Sequence, residues 1–341
     1  MKNIYGMTLQ KLEEYFTNIG YQKFKAVQVF EWLYKKRVQS FEEMTNIKKE
    51  QIELLNKDFN FNNIKLVDKK EGKDVIKFLF ELNDKRYVEA VLMKHDYGNS
   101  VCVSSQVGCN MSCAFCESGR LKKVRNLETY EMVLQLLNIE KICNIKISHV
   151  VLMGIGEPFD NYDNVMDFID IINSGKGMDI GARHITVSTC GVVPKIKEFM
   201  NFGKQINLAI SLHAPNNEIR NKLMPINKAY TLEILIPTLK EYIKKTNRRL
   251  TFEYILLSGI NDTEKCALEL AKLIKGMNAY VNLIPYNETS HIEFKRSSED
   301  DIMKFYDILK KNNISVTIRR EFGGTVDAAC GQLRSKYEGG L

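Results

Sequence analysis

The N-terminal part of the chain repeats apolar positions with the period of an α-helix. Three stretches, 9–19, 27–34 and 52–59, each place their apolar residues on one helical face, and Gly20 can end the first helix. Positive residues lie on both sides of the second stretch: Lys23, Lys25, Lys35, Lys36 and Arg37. The pattern therefore predicts a small helical module with a positively charged surface, which we assign to residues 1–70.

After this module the pattern changes to short runs rich in β-branched and aromatic residues, which are typical of strands. Runs at 75–80 and 87–93 flank a turn signal, and a third run covers 100–104. We expect the first two runs to form a small β-hairpin extension over residues 71–94.

Beyond residue 100, apolar β-rich runs alternate with gaps that can each hold a helix. The runs lie at 149–154, 184–189, 206–212, 250–256, 280–285 and 315–320. Alternating strands and helices imply an α/β protein with a parallel sheet covered by helices. This number of strands predicts a partial or full (β/α) barrel over residues 95–341, with its chemistry at the C-terminal ends of the strands.

Composition restricts the class of protein. The chain has 341 residues, 44% hydrophobic and 27% charged, which is typical of a globular protein and not of a disordered chain. No run of about 18 apolar residues is present, so we expect no transmembrane helix and no membrane partner. The N-terminus lacks a signal-peptide stretch, which predicts a cytoplasmic location. Thiols stay reduced there, so the eight cysteines are expected to be ligands or catalysts.

The charge balance is moderately basic. Lys plus Arg number 49 and Asp plus Glu number 42, so the formal charge is +7. Short basic groups at 122–125, 244–249 and 319–320 could neutralise the phosphates of a nucleic acid. A solvated, lysine-rich surface explains the same composition equally well, so charge alone does not identify a partner.

A group of three cysteines is the most specific chemical feature of the chain. Cys109, Cys113 and Cys116 have the spacing C-x3-C-x2-C and follow the predicted strand at 100–104. Thiolates are the usual ligands of iron–sulfur clusters, and three of them leave one iron of a four-iron cluster open for a substrate. A zinc site completed by a distant fourth ligand, or a set of reduced core thiols, would also use such residues.

Small and polar residues follow four of the predicted strands, so they are expected to meet at one mouth of the barrel. Each alone could be an ordinary turn or cap residue, but together they suit a pocket for a nucleoside and an amino acid. Glycines there allow close approach of backbone to a ligand, and a carboxylate can accept a hydrogen bond from an amine. The candidates are Gly156, Glu157, Ser188, Ser211, Leu212, His213 and Asn287.

A further cysteine, Cys330, lies in a loop of small residues at 325–333, after the last predicted strand. We expect its thiol to be accessible, although a buried loop thiol would fit the same pattern.

These features together resemble the RlmN/Cfr family of RNA methyltransferases within the radical S-adenosylmethionine (SAM) superfamily. The cysteine spacing, with an aromatic residue before the third cysteine, is the superfamily motif. The segments at 154–162, 181–189 and 223–227 are similar to the RlmN branch. The resemblance runs from the helical module to the last ten residues.

The resemblance implies an activity and two cofactors. RlmN enzymes methylate C2 of adenosine 2503 in 23S rRNA and of adenosine 37 in certain tRNAs. The cysteine trio would hold a [4Fe–4S] cluster, and the strand-end residues would bind SAM, two molecules of which are used per turnover. Cys330 would be methylated by the first SAM, and a radical formed with the second would join its methyl carbon to adenine in a covalent protein–RNA adduct.

The resemblance also implies roles for two residues of the predicted strands. Cys102 matches the cysteine that resolves the adduct and ends in a disulfide with Cys330. Glu89 matches the proposed proton acceptor. From the residues alone, Cys102 could be a small core residue and Glu89 a carboxylate on the solvent face of a strand.

The remaining expectations concern partners and alternatives. An electron donor such as flavodoxin or ferredoxin would reduce the cluster, and the enzyme is expected to be a monomer. Within the family, Cfr-type methylation of C8 of the same ribosomal adenosine is the alternative, and the loop at 117–123, which differs from that of relatives, leaves this choice open. A non-catalytic, metal-dependent RNA-binding factor is the alternative of another class, but it would not need Cys102 and Cys330.

Overall fold

The computed structural model describes residues 1–120, 122–289 and 291–319. The predicted catalytic loop with Cys330 lies outside these residues. No helix in the described part of the chain is long and apolar enough to cross a membrane.

The helices predicted near the N-terminus are present. They are α1 (Leu9–Asn18), α2 (Phe24–Glu31) and α3 (Lys49–Asp58), and α2 continues as a π-helix over Trp32–Lys36. The Thr8 side chain caps α1 by accepting a hydrogen bond from the backbone N–H of Lys11. Two short strands, β1 (Lys2–Asn3) and β2 (Phe59–Asn60), pair in parallel and bring the two ends of this region together.

A ten-stranded mixed sheet forms the centre of the molecule. Its order is β14-β13-β12-β11-β10-β9-β6-β5-β4-β3. These strands are β3 (Lys65–Glu71), β4 (Val75–Glu81), β5 (Tyr87–His95), β6 (Gly98–Cys102), β9 (Ile147–Leu152), β10 (Ile185–Thr189), β11 (Asn207–Ser211), β12 (Leu250–Leu256), β13 (Ala279–Pro285) and β14 (Ser315–Ile318). A separate pair consists of β7 (Gln106–Val107) and β8 (Arg125–Asn126).

The sheet has a parallel and an antiparallel part. From β6 through β9 to β14 all neighbours are parallel, whereas β3, β4, β5 and β6 pair in antiparallel fashion. Within the described ranges the strand order is linear from β3 to β14, so the fold is the partial barrel and not the closed one.

The connections carry the helices that the alternating pattern predicted. They are α4 (Glu117–Arg120), α5 (Thr129–Cys143), α6 (Tyr162–Asn173), α7 (Val193–Phe199), α8 (Asn217–Leu223), α9 (Leu232–Thr246), α10 (Glu264–Ile274) and α11 (Glu299–Lys311). The apolar faces of α1, α2, α5, α6, α7, α9, α10 and α11 belong to one continuous core with the sheet.

One strand of the central sheet was missed by the sequence pattern. The strand β3 lies largely within the range assigned to the helical module, and it pairs with β4 at the edge of the sheet. Its sequence is mostly charged and its residues are exposed or half-buried. A strand at an edge needs no apolar alternation, and charged side chains protect it from pairing with other chains.

Candidate active site at the carboxyl ends of the strands

The cysteine trio lies on a loop that leaves the carboxyl end of β6. Cys109 is buried, and Cys113 and Cys116 are half-buried. A backbone hydrogen bond fixes the loop to the end of α8, because the N–H of Ala114 donates to the carbonyl of Leu223 at 2.9 Å. The carbonyl of Cys113 also accepts a hydrogen bond from the N–H of Cys116 at 3.1 Å. Two thiols of the trio thus lie on one tight turn.

The three thiols are close enough to influence each other's ionisation. Burial raises the pKa of the Cys109 thiol to about 12, and the Cys116 thiol and the Glu157 carboxylate add to the rise. Burial likewise raises the pKa of the Cys113 thiol, with contributions from Cys116 and Cys109. The loop therefore gathers three sulfur donors in one partly desolvated place.

The surroundings of the trio fit an iron–sulfur cluster. The Ser118 hydroxyl is buried and has no hydrogen-bond partner among the described residues. It lies two residues from Cys116, so it can donate to an acceptor such as an inorganic sulfide. A Cβ on Gly119 would lie 3.0 Å from the carbonyl oxygen of Cys113, so a side chain there would force the loop to shift by a few tenths of an ångström. Within the described ranges, no three His, Cys, Asp or Glu side chains are arranged to hold a single metal ion.

Two glycines let the next strand end approach this loop. A Cβ on Gly154 would lie 2.7 Å from the carbonyl oxygen of Val103, and one on Gly156 would lie 2.7 Å from the Gln106 side chain. Gly156 also has a φ of +112°, which L-residues rarely adopt. The turn after β9 therefore packs directly against the chain that leads into the cysteine loop.

Buried amides lock these two turns together. The Gln135 side chain, on α5, accepts from the N–H of Ser104 at 3.0 Å and donates to its carbonyl at 3.1 Å. The Ser104 hydroxyl accepts from the N–H of Ile155 at 3.0 Å. The Gln106 side chain accepts from the N–H of Glu157 at 2.9 Å. Sequence reasoning missed both glutamines, because a lone glutamine carries no recognisable spacing.

The Glu157 carboxylate lies at the centre of this end of the sheet. It is buried and accepts hydrogen bonds from the backbone N–H groups of Phe159 at 2.9 Å and Cys190 at 2.8 Å. Burial raises its pKa, while these amide donors oppose the rise. A carboxylate held in this way beside three thiols can accept a further hydrogen bond from an ammonium group.

The strands β10 and β11 bring further predicted residues to the same end. Ser188 is paired with Ala209, two residues before Ser211. Beyond Ser211, the N–H groups of Leu212 and His213 both donate to the carbonyl of Glu253, at 3.1 and 3.3 Å. These bonds turn the chain toward the cysteine loop.

His213 contacts that loop directly. Its ring meets the Phe115 ring edge-on, with 4.8 Å between centroids. Burial lowers the pKa of His213 to about 3, so the imidazole is neutral. Its Nδ1 accepts a hydrogen bond from the N–H of Ile255 at 3.0 Å, which leaves the ring proton on Nε2. Asn287 lies two residues beyond β13 and is exposed.

The sheet register places Cys102 and Glu89 on one face. Cys102 pairs with Val91 on β5, and Glu89 is two residues before Val91. Glu89 is only 3% exposed, so its interpretation as a solvent-facing carboxylate is wrong. The ammonium group of Lys77, also buried, lies 3.9 Å from its carboxylate. Cys102 is buried against Val75 and Met93, which also fits the small core residue that it could be.

The same face continues across the parallel strands. Cys102 pairs with Val151 and Val151 with Thr186, so Ser188 shares the face. Ser211 then pairs with Glu253, and Glu253 with Asn282. Glu253 is buried and accepts from the Asn282 side chain at 2.8 Å. Sequence reasoning missed Lys77 and Glu253, although each is a lone charge within an apolar strand run.

The predicted basic groups do not all lie at this end. The group at 244–249 lies where α9 ends and β12 begins, at the opposite end of the parallel strands. Arg125 is held by Asp84 at 2.7 Å and by Glu131 at 2.7 Å. Lys123 pairs with Asp160 at 2.8 Å. Arg125 and Lys123 therefore brace the protein, and their charges are already compensated.

Comparison with known proteins shows which proteins share this architecture. Residues 103–274 match the radical SAM superfamily, and residues 2–60 match the ribosomal RNA large subunit methyltransferase N-terminal domain. A radical SAM methyltransferase from Sphaerobacter thermophilus has a similar structure, with a TM-score of 0.90, 37% identity, and coverage of 97% of this chain and 99% of that chain.

Relatives of known name match over the full length. The "Probable dual-specificity RNA methyltransferase RlmN" of Spiroplasma citri is 53% identical and covers 99% of both chains. The protein of the same name from Enterococcus faecalis is 54% identical over 98% of this chain and 96% of its own. Both the cysteine-bearing barrel and the N-terminal module are thus shared with one group of enzymes, and the chain belongs to the RlmN family of radical SAM RNA methyltransferases.

Proposed function

We propose that the protein methylates C2 of adenosine 2503 in 23S rRNA and of adenosine 37 in tRNAs. The main support for this proposal is a sequence identity of 53–54%, over nearly the full length, to relatives named dual-specificity RNA methyltransferases. The geometry supports it, because Glu89 and Cys102 share one buried face next to the loop of the cysteine trio.

The family implies a [4Fe–4S] cluster and SAM, and the chain has residues for both. Cys109, Cys113 and Cys116 would hold the cluster through their thiolates. When bound, the two groups together supply a carbon-centred radical. Backbone turned by the glycines, together with a buried carboxylate, would hold the amino-acid and nucleoside parts of SAM. Those residues are Gly156, Glu157, Ser188, Ser211, Leu212, His213 and Asn287.

In the proposed reaction Cys330 carries the methyl carbon. Its thiolate takes a methyl group from one SAM by displacement, and loss of a hydrogen atom from that group, at the expense of a second SAM, leaves a carbon radical on the cysteine. This carbon adds to C2 of adenine, which is too electron-poor to attack SAM itself. The adduct would then lose one electron, for which the oxidised cluster would be the acceptor, and the proton on C2. Cys102 then attacks the Cys330 sulfur, and the departing carbon takes up a proton to become the methyl group, which frees the RNA and leaves a disulfide that an external thiol must reduce.

Glu89 would accept the proton that leaves C2. Its carboxylate is buried on the same face as Cys102, and Lys77 beside it stabilises the negative charge required of a base. The adenine must leave its stack to reach this face, which costs a few kcal/mol and is easiest for a base in an RNA loop. We infer a monomer that works in the cytoplasm, where these RNAs lie, with a flavodoxin or ferredoxin as electron donor.

Mapping of methylated adenosines in cells with and without the protein tests the proposal. Nucleoside mass spectrometry should find 2-methyladenosine at both RNA positions only when the protein is present. Cells that carry a Cys330→Ala variant should resemble cells without the protein. Methylation at C8, or unmodified RNA in cells with the wild-type protein, would contradict the proposed function.

A further inference from the structure

Arg220 is a fully buried cation close to the cysteine loop. It lies on α8 with 0% exposure, and its guanidinium donates only to neutral groups. Nε donates to the carbonyl of Leu212 at 3.2 Å, one Nη to the Asn227 side-chain oxygen at 2.9 Å, and the other to the carbonyl of Cys190 at 2.8 Å. Within the described part of the chain it forms no ion pair with a carboxylate.

A buried charge of this kind is expensive to keep. Moving a cation out of water costs several kcal/mol unless an opposite charge compensates it. Burial lowers the pKa of Arg220 to about 10, which still leaves the guanidinium protonated at neutral pH. The hydrogen bonds to carbonyl oxygens satisfy its donors, but they supply no net negative charge.

Several contacts connect Arg220 with the cysteine trio. Three residues further along α8, the carbonyl of Leu223 accepts the N–H of Ala114, which lies next to Cys113. Cys113 packs on the small apolar cluster that contains Cys190, whose carbonyl Arg220 holds. The cation therefore lies on the helix that is bonded to the cysteine loop, and it holds the backbone of a residue in the cluster on which Cys113 packs.

We propose that Arg220 is the buried counter-charge of the iron–sulfur cluster held by the cysteine trio, and that it raises the reduction potential of that cluster. This inference rests on the cofactor that the radical SAM family implies. Three thiolates outweigh the positive charge of the oxidised iron–sulfur core, so the bound cluster is an anion, and reduction makes it more negative. A nearby cation stabilises the reduced form more than the oxidised form, and local charge is one of the factors that set such potentials.

A purely structural role is the competing explanation, because the same hydrogen bonds tie together the chain ends after β10 and β11. The two roles differ in what they need. A structural role depends on the geometry of the guanidinium N–H donors, whereas a counter-charge role depends on the positive charge at that position. Arg220→Gln removes the charge, Arg220→Lys keeps it with a different donor geometry, and Asn227→Ala removes one acceptor while the charge stays.

The test is a redox titration of the anaerobically reconstituted full-length protein, followed by the EPR signal of the reduced cluster without SAM or RNA. Arg220→Gln should bind iron and sulfide but titrate at a lower potential than the wild type. Arg220→Lys and Asn227→Ala should both titrate near the wild-type value.

Three results would overturn the counter-charge role of Arg220 while leaving the cofactor assignment intact. One is an Arg220→Gln protein with a cluster at the wild-type potential, and another is an Asn227→Ala protein whose potential falls as far as that of Arg220→Gln. If Arg220→Gln binds no iron, Arg220→Lys decides: a normal cluster supports the counter-charge, and failure to bind iron refutes it. Wild-type protein that binds neither iron nor sulfide would instead contradict the cofactor assignment itself, and the proposal with it.

Discussion

The thiol of Cys102 is buried at the end of β6. Val75 and Met93 bury it, and its register partners are Val91 and Val151. Such surroundings keep a thiol from reacting with small oxidants in solution, since reactivity requires access and thiolate character. A cysteine in this place suits a reaction with one partner delivered to the same face, which is the proposed role of Cys102 toward Cys330.

The proposed role predicts a trapped intermediate. Cys102→Ala removes the sulfur but little volume, so the fold should survive with a loss of about 1 kcal/mol. The variant should still form the bond between Cys330 and adenine, but should fail to release it, so turnover stops after about one event. A denaturing gel with labelled RNA, followed by mass spectrometry of the adduct, measures this. Cys143→Ala, at the end of α5, is the control and should turn over normally; an RNA product released freely by Cys102→Ala would refute the assignment.

Single residues also mark where sequence reasoning succeeds and where it stops. The cysteine spacing and Glu157 stand out locally, and the structure places them at one end of the sheet as expected. Lys77 and Glu253 were recognisable as lone charges in apolar runs, but their meaning depends on the sheet register. Arg220 lies in a short polar helix, and only tertiary packing buries it.

At the scale of elements, the turn after β9 has no room for a side chain at position 156. A side chain at Gly156 would collide with Gln106, and Gln106 in turn holds the N–H of Glu157. The Gln106 amide group also donates to Asp160 at 2.9 Å. The position of the Glu157 carboxylate therefore depends on glycine at position 156, where even the methyl group of alanine would not fit.

Gly156→Ala should consequently weaken SAM binding while the protein stays folded. Both the clash and the positive φ displace the turn, and we expect a loss of at least tenfold in affinity, equivalent to about 1.4 kcal/mol. Equilibrium dialysis with SAM and reconstituted protein measures the effect. Gly175→Ala is the matched control, because a Cβ there meets only Asp179, at 3.8 Å. Wild-type affinity in Gly156→Ala would show that this turn does not position the SAM pocket.

Helices and strands could be predicted where burial requires a periodic or continuous run of apolar residues. The parallel strands are flanked by helices on a shared core, so their apolar runs stand out, and all six runs after residue 146 are strands. The strand β3 is exposed at the edge and mostly charged, so no local pattern distinguishes it from a loop. The open form of the barrel depends on pairing between distant strands, which periodicity does not encode.

At the scale of the whole molecule, the N-terminal helices are docked firmly on the sheet domain. The Arg37 side chain, after the π-helix, pairs with Glu140 on α5, and the Glu140 side chain is only 2% exposed. The other carboxylate oxygen of Glu140 accepts the N–H of Ile147 at 2.7 Å, at the start of β9. One buried carboxylate thus joins the N-terminal module, α5 and the central sheet, so RNA held by the module would keep a fixed position relative to the strand ends.

This junction predicts a pH-dependent loss of stability. Burial raises the pKa of Glu140, and Arg37 opposes the rise. Removing Arg37 should raise that pKa further, so the folded variant binds a proton more readily than the unfolded chain, and its stability falls as pH rises. Arg37 is 40% exposed, so we expect Arg37→Ala to lose about 1–2 kcal/mol at neutral pH, with a smaller deficit near pH 5.

Urea unfolding at the two pH values measures the difference between Arg37→Ala and the wild type. Lys35→Ala is the matched control, because Lys35 pairs with Glu31 on the surface of the same helix at 3.3 Å, and it should lose little stability at either pH. A deficit of equal size at both pH values would mean that Arg37 stabilises the junction by packing alone. A deficit that shrinks in acid would mean that the charge of Glu140 contributes to holding the module against the barrel.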